Sequence, residues 1–70
     1  MDTKQKLIHA LTEYDRKQSM RRGYNPHALA IYFGALDEAE NAVNRGQSWW
    51  LALTERFNDR VLDVCLKAVE

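Results

Sequence analysis

Residues 25–46 read NPHALAIYFGALDEAENAVNRG, and this stretch predicts one long central helix. Asn25 suits the N-cap, and Pro26 suits the first helical position because its missing N–H needs no partner there. Gly46 suits the position after the last turn, where glycine ends many helices. Two apolar stripes about 100° apart predict packing against two neighbours at once. The stripes are Leu29, Tyr32, Phe33, Leu36, Ala39 and Val43, and Ala28, Ile31, Ala35 and Ala42.

The segment before this stretch predicts a shorter amphipathic helix. Asp2 suits its N-cap, and Gln5 three residues later completes a capping-box pattern. Beyond Tyr14 the polar stretch 15–22 offers no apolar face, so we expect it either to fray or to project past the core. The apolar stripe of this helix consists of Leu7, Ile8, Leu11 and Tyr14.

The segment after Gly46 predicts a third helix, with Ser48 as its N-cap. Its main apolar stripe includes Trp50 and leaves Trp49 at the edge, because adjacent helical positions point about 100° apart. An alternative interrupts this helix near Asn58, since asparagine and aspartate both favour helix caps. The stripe consists of Trp50, Leu53, Phe57, Val61, Val64 and Ala68.

The predicted fold is all-α, a single helical domain over 1–70. We expect a three-helix antiparallel bundle with helices at about 3–20, 26–45 and 49–69, because short links make successive helices antiparallel neighbours. In the alternative, the third helix is bent near Asn58.

Composition excludes several classes of protein. The 70 residues are 46% hydrophobic, and ten basic side chains balance ten acidic ones, so net charge favours neither nucleic acid nor a membrane surface. One cysteine cannot close a disulfide within the chain, which favours a reducing compartment and a cytoplasmic location. Neither a transmembrane helix nor a signal peptide is expected, because no long apolar run is present.

The sequence carries no recognisable catalytic motif. It has no glycine-rich phosphate loop, and His9, His27 and Cys65 show no spacing typical of metal ligands. Cys65 lies near the main stripe of the third helix and is expected to act as a small buried apolar residue. We therefore expect no cofactor, no metal and no enzymatic activity.

A second set of apolar residues on the third segment is not explained by its main stripe: Leu51, Leu62, Leu66 and Val69. If the helix bends near Asn58, these residues fold onto the core. Otherwise they form a homodimer seam or a face that binds a partner protein, because an exposed apolar row is usually covered. The residues assigned to this association are Trp49, Leu62, Leu66 and Val69.

A run of basic residues follows the apolar stripe of the first helix. Cations near a helix C-terminus are favoured by the helix dipole, but they can also contact phosphate or an acidic protein surface. The residues assigned to this polar recognition edge are Arg16, Lys17, Arg21, Arg22 and Tyr24.

Ala30 and Gly34 form a pair of small residues on the less apolar side of the central helix. A glycine inside a helix costs about 1 kcal/mol relative to alanine. We expect close packing to offset this cost, either within the molecule or against a helix from outside.

These observations predict a small, non-enzymatic protein-interaction module. We expect a regulatory or inhibitory accessory protein that acts by binding a larger protein partner, with a homodimer as a further possibility and no membrane association. The alternative is a nucleic-acid-binding protein that uses the basic run 16–22 as a dimer.

Overall fold

The computed structural model describes residues 2–19 and 25–70, and within these ranges it contains only helices and short links. The helices are α1 (Thr3–Gln18), α2 (Pro26–Asn44), α3 (Trp49–Arg56) and α4 (Asp59–Val69). The predicted all-α class is confirmed. The prediction of three helices is wrong, because the segment expected to form one helix over 49–69 forms two. The interruption lies at Asn58, where the alternative had placed it.

Side-chain caps begin the first two helices at the predicted residues. The Asp2 carboxylate accepts a hydrogen bond from the Gln5 N–H at 2.8 Å. The Asn25 side-chain oxygen accepts from two N–H groups in the first turn of α2, next to Pro26. Gly46 follows α2 with a φ of +114°. Residues with a Cβ atom adopt this conformation only with steric strain, whereas glycine adopts it readily. Asp2, Asn25 and Gly46 therefore stand at the helix ends where the sequence predicted them.

The interruption between α3 and α4 consists of Phe57 and Asn58. Phe57 has an extended backbone, with φ −120° and ψ 142°, so it ends the hydrogen-bond ladder of α3. The Asn58 side chain then accepts a hydrogen bond from the Val61 N–H at 3.2 Å and begins α4. Because the Phe57 side chain is buried, the residue that breaks the helix also fills the core.

The four helices form a closed ring in which each helix packs against two others: α1 against α2 and α4, and α3 against α2 and α4. Helices α1 and α2 are antiparallel. Near the start of α1, the Lys4 ammonium lies 3.1 Å from Asp37 and 2.8 Å from Glu40. At the other end of the pair, Asp15 contacts Asn25. The interruption thus allows α3 to cover α2 while α4 covers α1.

The core draws side chains from all four helices and from the α3–α4 link. Three of its members are alanines on α2 and α3, and small residues allow two helices to approach closely. The buried residues are Leu7, Leu11, Leu36, Ala39, Ala42, Ala52, Leu53, Phe57, Val61 and Cys65.

Trp50 was predicted to belong to the core stripe, and this prediction is wrong because 59% of its surface is exposed. The stripe residues Leu53, Phe57 and Val61 are buried as predicted, so the departure is confined to the first turn of α3. There Trp49 and Ala52 face the core beside Leu53, and Trp50 does not.

Ile31 was also assigned to an apolar stripe, but it is 58% exposed. Helix α3 has 8 residues and α2 has 19, so α3 spans less than half the length of its neighbour. Because a short link joins α3 to the C-terminal end of α2, it covers that half and leaves Ile31 uncovered.

Asp15 was expected to begin a polar extension, but it is the buried charged residue of the described chain, at 3% exposure. Its carboxylate accepts a hydrogen bond from the backbone N–H of Asn25 at 2.6 Å. Its own backbone carbonyl accepts from the Ser19 N–H, which closes the last turn of α1. Asp15 therefore joins the end of α1 to the start of α2.

Replacing this carboxylate is expected to weaken the fold. In Asp15→Ala the part-buried hydrogen bond from the Asn25 N–H to the carboxylate is lost, which costs about 1–3 kcal/mol of unfolding free energy, measured by urea denaturation. Asp15→Asn keeps a side-chain oxygen that can accept the same bond and should retain most of the stability. An Asp15→Ala variant as stable as the wild type would contradict this role.

Candidate interaction surface

The apolar residues assigned to partner binding are half-buried. Trp49, Leu62 and Val69 pack against the core, and Leu66 is covered to an intermediate degree. The interruption at Asn58 turns α4 so that much of this row faces the molecule's own core. Whether these four residues contact a partner stays a prediction.

The basic run is described only in part. Arg16 and Lys17 lie exposed in the last turn of α1, and Arg16 donates to the Glu13 carboxylate at 2.6 Å. This bond is the main reason that the pKa of Glu13 is lowered from its ordinary value. Arg21, Arg22 and Tyr24 lie outside the described residues. The structure therefore places two of the five residues of the predicted edge.

The largest exposed apolar surface on α3 was not among the predicted site residues. Trp50 is 59% exposed and the adjacent Leu51 is 40% exposed. We call these two residues the α3 patch. The sequence signal for it is the run of three bulky apolar residues, 49–51, because a helix cannot turn three consecutive side chains towards one core.

Hydrogen bonds hold the backbone of the α3 patch on both sides. The Ser48 hydroxyl accepts from the Leu51 N–H at 3.1 Å, and the Thr54 hydroxyl donates to the Trp50 carbonyl at 2.8 Å. One turn further on, the Arg56 guanidinium donates to the Ala52 carbonyl at 3.0 Å. The patch therefore sits on a short helix whose first turn is capped and fixed.

A wide groove lies at the opposite end of the bundle, where α1 ends and α4 begins. Its volume is about 500 Å³, and the rings of Tyr14 and Tyr32 meet there edge to face, with centroids 6.4 Å apart. Burial, followed by the charges of Tyr14 and Asp15, raises the pKa of Tyr32, so its phenol stays protonated at neutral pH. The lining residues are Tyr14, Tyr32, Asn58, Asp59, Arg60 and Val61.

The residues that line this groove show in which direction α4 runs. The first turn of α4 lies beside Tyr14, in the second half of α1, so α4 runs back towards the start of α1. Helix α3 starts from the C-terminal end of α2, which is the same end of the bundle. The α3 patch and the last turn of α4, with Val69, therefore lie at one end of the molecule.

The thiol of Cys65 lies in the core. Cys65 is fully buried, and burial raises the pKa of its thiol to about 11, so little thiolate forms at neutral pH. Within residues 2–19 and 25–70, no group of three or more His, Cys, Asp or Glu side chains could hold a metal ion. None of the described helices combines the length and apolar character needed to cross a lipid bilayer.

Compared with known proteins, this chain matches no family model, no curated protein sequence and no solved structure.

The stability of the fold is expected to fall as the pH rises from 9.0 to about 11. Burial raises the pKa of Cys65 over this interval, so the unfolded chain releases the thiol proton first and is favoured by alkali. The expected slope reaches at most about 1.4 kcal/mol per pH unit. Urea denaturation at closely spaced pH values measures it.

The control is Cys65→Ala, in which this slope should be shallower even if the variant is less stable at every pH. Lys4 and Tyr32 also have raised pKa values, through hydrogen bonds to Glu40 and then Asp37 for Lys4 and through burial for Tyr32. Their alkaline effects remain in both proteins. Equal slopes in the two proteins would show that the buried thiol does not contribute.

Proposed function

We propose that this protein is a small, non-enzymatic binding module that regulates or inhibits a larger partner protein by occupying part of its surface. The α3 patch supplies the apolar contact. The observation that carries this proposal is the exposure of Trp50, because tryptophan is among the residues most enriched at the energetic centres of protein interfaces.

The free energy available from Trp50 is substantial. A tryptophan side chain buries up to about 250 Å² in an interface, so 59% exposure leaves roughly 150 Å² to be covered. At about 25 cal/mol per Å², covering this area stabilises a complex by roughly 4 kcal/mol before the costs of association. One anchor of this size, with neighbours that exclude water, supports a specific complex.

The fixed backbone beneath the patch reduces the entropic cost of binding. Ser48 and Thr54 already hold the turn that presents Trp50, so little backbone order has to be acquired when a partner docks. The exposed Glu55 on the same side of α3 adds a charge at the rim. Rim charges of this kind direct orientation and the rate of association more than affinity.

The half-buried Leu66 and Val69 can extend the contact. They lie in the second half of α4, towards the end of the bundle that presents α3's first turn. Leu66 and Val69 would then lie at the edge of the interface, where a partner that binds Trp50 would also cover them.

Nucleic-acid binding by the basic run has less support. Arg16 pairs with the Glu13 carboxylate, which offsets one positive charge at the end of α1. Neutralised phosphates drive most of the affinity for nucleic acid, and that affinity falls steeply with salt. Binding to DNA or RNA at about 50 mM salt that weakens with the expected slope would favour this function over the one proposed.

The proposal predicts that Trp50→Ser combined with Leu51→Gln abolishes partner binding and leaves the fold intact. Both side chains are exposed, so their loss removes little core packing. Affinity for the partner should fall roughly thirtyfold or more. The measurement is quantitative affinity capture from cell lysate with the immobilised wild type and the variant side by side, followed by titration of each captured protein.

The matched control is Ile8→Ser, which removes an exposed apolar side chain from α1 instead. At least one protein should be captured by the wild type and by Ile8→Ser but lost with the double variant. The proposal fails if the double variant captures the same proteins with the same affinity, or if the wild type captures none. Circular dichroism establishes that all three proteins are folded.

A further inference from the structure

The outer face of α2 carries an apolar strip that no part of the described chain covers. Ala30, Ile31 and Gly34 are all exposed, and Ile31 is 58% exposed. We call these three residues the α2 face. Gly34 follows Ile31 by three residues and Ala30 by four, so it lies between them on one side of the helix, and the three span about 100°.

Gly34 makes no close packing contact with the rest of the described chain. A Cβ atom added at this position would meet nothing within 4 Å, and the backbone there is ordinary helix. The expectation that close internal packing offsets the cost of this glycine is therefore wrong. What remains is close approach by a helix from outside, for which a glycine leaves the required space.

The shape of the α2 face is complementary to itself. In a twofold antiparallel pair, each residue of one helix faces its counterpart on the other, and the relation is reciprocal. If Ile31 of one copy lies over Gly34 of the second copy, then Gly34 of the first receives Ile31 of the second. The protruding side chain thus fills the space that the glycine leaves, twice in one interface.

The polar side chains on this side of α2 agree with the same register. One turn outward from this crossing, His27 of one copy faces Glu38 of the other, and both side chains are exposed. Glu38 also comes near the N-terminal end of the opposing helix, whose dipole favours a negative charge. The neighbouring acids Asp37 and Glu40 are held by Lys4, so they are directed towards α1.

We infer that a second copy of this chain docks on the α2 face, with the two α2 helices antiparallel and crossing between Ile31 and Gly34. This surface uses none of the residues of the α3 patch. The dimer would therefore present two α3 patches, and a partner with repeated sites would bind it more tightly than it binds a single copy.

Gly34→Arg tests this inference without threatening the fold. The open space around Gly34 accepts a long side chain, and arginine favours a helix more than glycine does. Sedimentation equilibrium of the wild type up to about 1 mM should show the mass rising towards that of a dimer. In Gly34→Arg the association should be at least tenfold weaker, with an unchanged or higher melting temperature.

Two controls separate this face from other surfaces. His9→Arg adds the same charge on the exposed side of α1 and should leave the association unchanged. Trp50→Ser should also leave it unchanged. The inference is overturned if the wild type stays monomeric at every concentration, if Gly34→Arg associates like the wild type, or if Trp50→Ser is the variant that becomes monomeric.

A charge exchange tests the register. Glu38→Lys alone should weaken the association, because the new cation faces His27 and the positive end of the opposing helix. Adding His27→Glu should restore it, since the opposite charges again face each other across the twofold axis. Failure of the second substitution to restore any association would overturn this register.

Discussion

The extended backbone at Phe57 and the hydrogen bond that the Asn58 side chain accepts from the Val61 N–H determine how this small protein closes its core. A continuous third helix would have a single direction and could lie only in the one groove between α1 and α2. Once the helix is interrupted, α3 packs on α2 and α4 packs on α1, and the four helices form a ring. Isolated helices of 8 and 11 residues are too short to be stable in water, so both depend on this packing.

The same interruption determines which surfaces the molecule offers. Helix α3 turns Trp49, Ala52 and Leu53 towards the core, so the adjacent Trp50 projects outward. Because α3 is short, one side of the first half of α2 stays uncovered and exposes Ile31. The two surfaces proposed for binding, one on α3 and one on α2, are thus consequences of how the core is completed.

Local signals in the sequence predicted the helices well. Asn25, Pro26 and Gly46 bound α2 as expected, because caps act through hydrogen bonds to their immediate neighbours. The sequence did not decide whether the third helix continues through Asn58 or is interrupted there, because a capping residue within an apolar stripe is compatible with both. The burial of Asp15 could not be predicted, because its acceptor role depends on Asn25, which comes close only after α1 and α2 pair. Trp50 was misassigned because its spacing from Leu53 fits a core position, whereas the short α3 turns Trp49 and Ala52 towards the core beside Leu53.

The accessibility of the two tryptophans tests the interruption most directly. In Trp49→Phe the remaining tryptophan is Trp50, and in Trp50→Phe it is Trp49, so fluorescence quenching by iodide reports on each alone. The account predicts that Trp50 is quenched readily and emits like a tryptophan in water, whereas Trp49 is quenched less and emits at shorter wavelength. The reverse order, with Trp50 the more protected residue, is what a continuous third helix would give, and it would contradict the account.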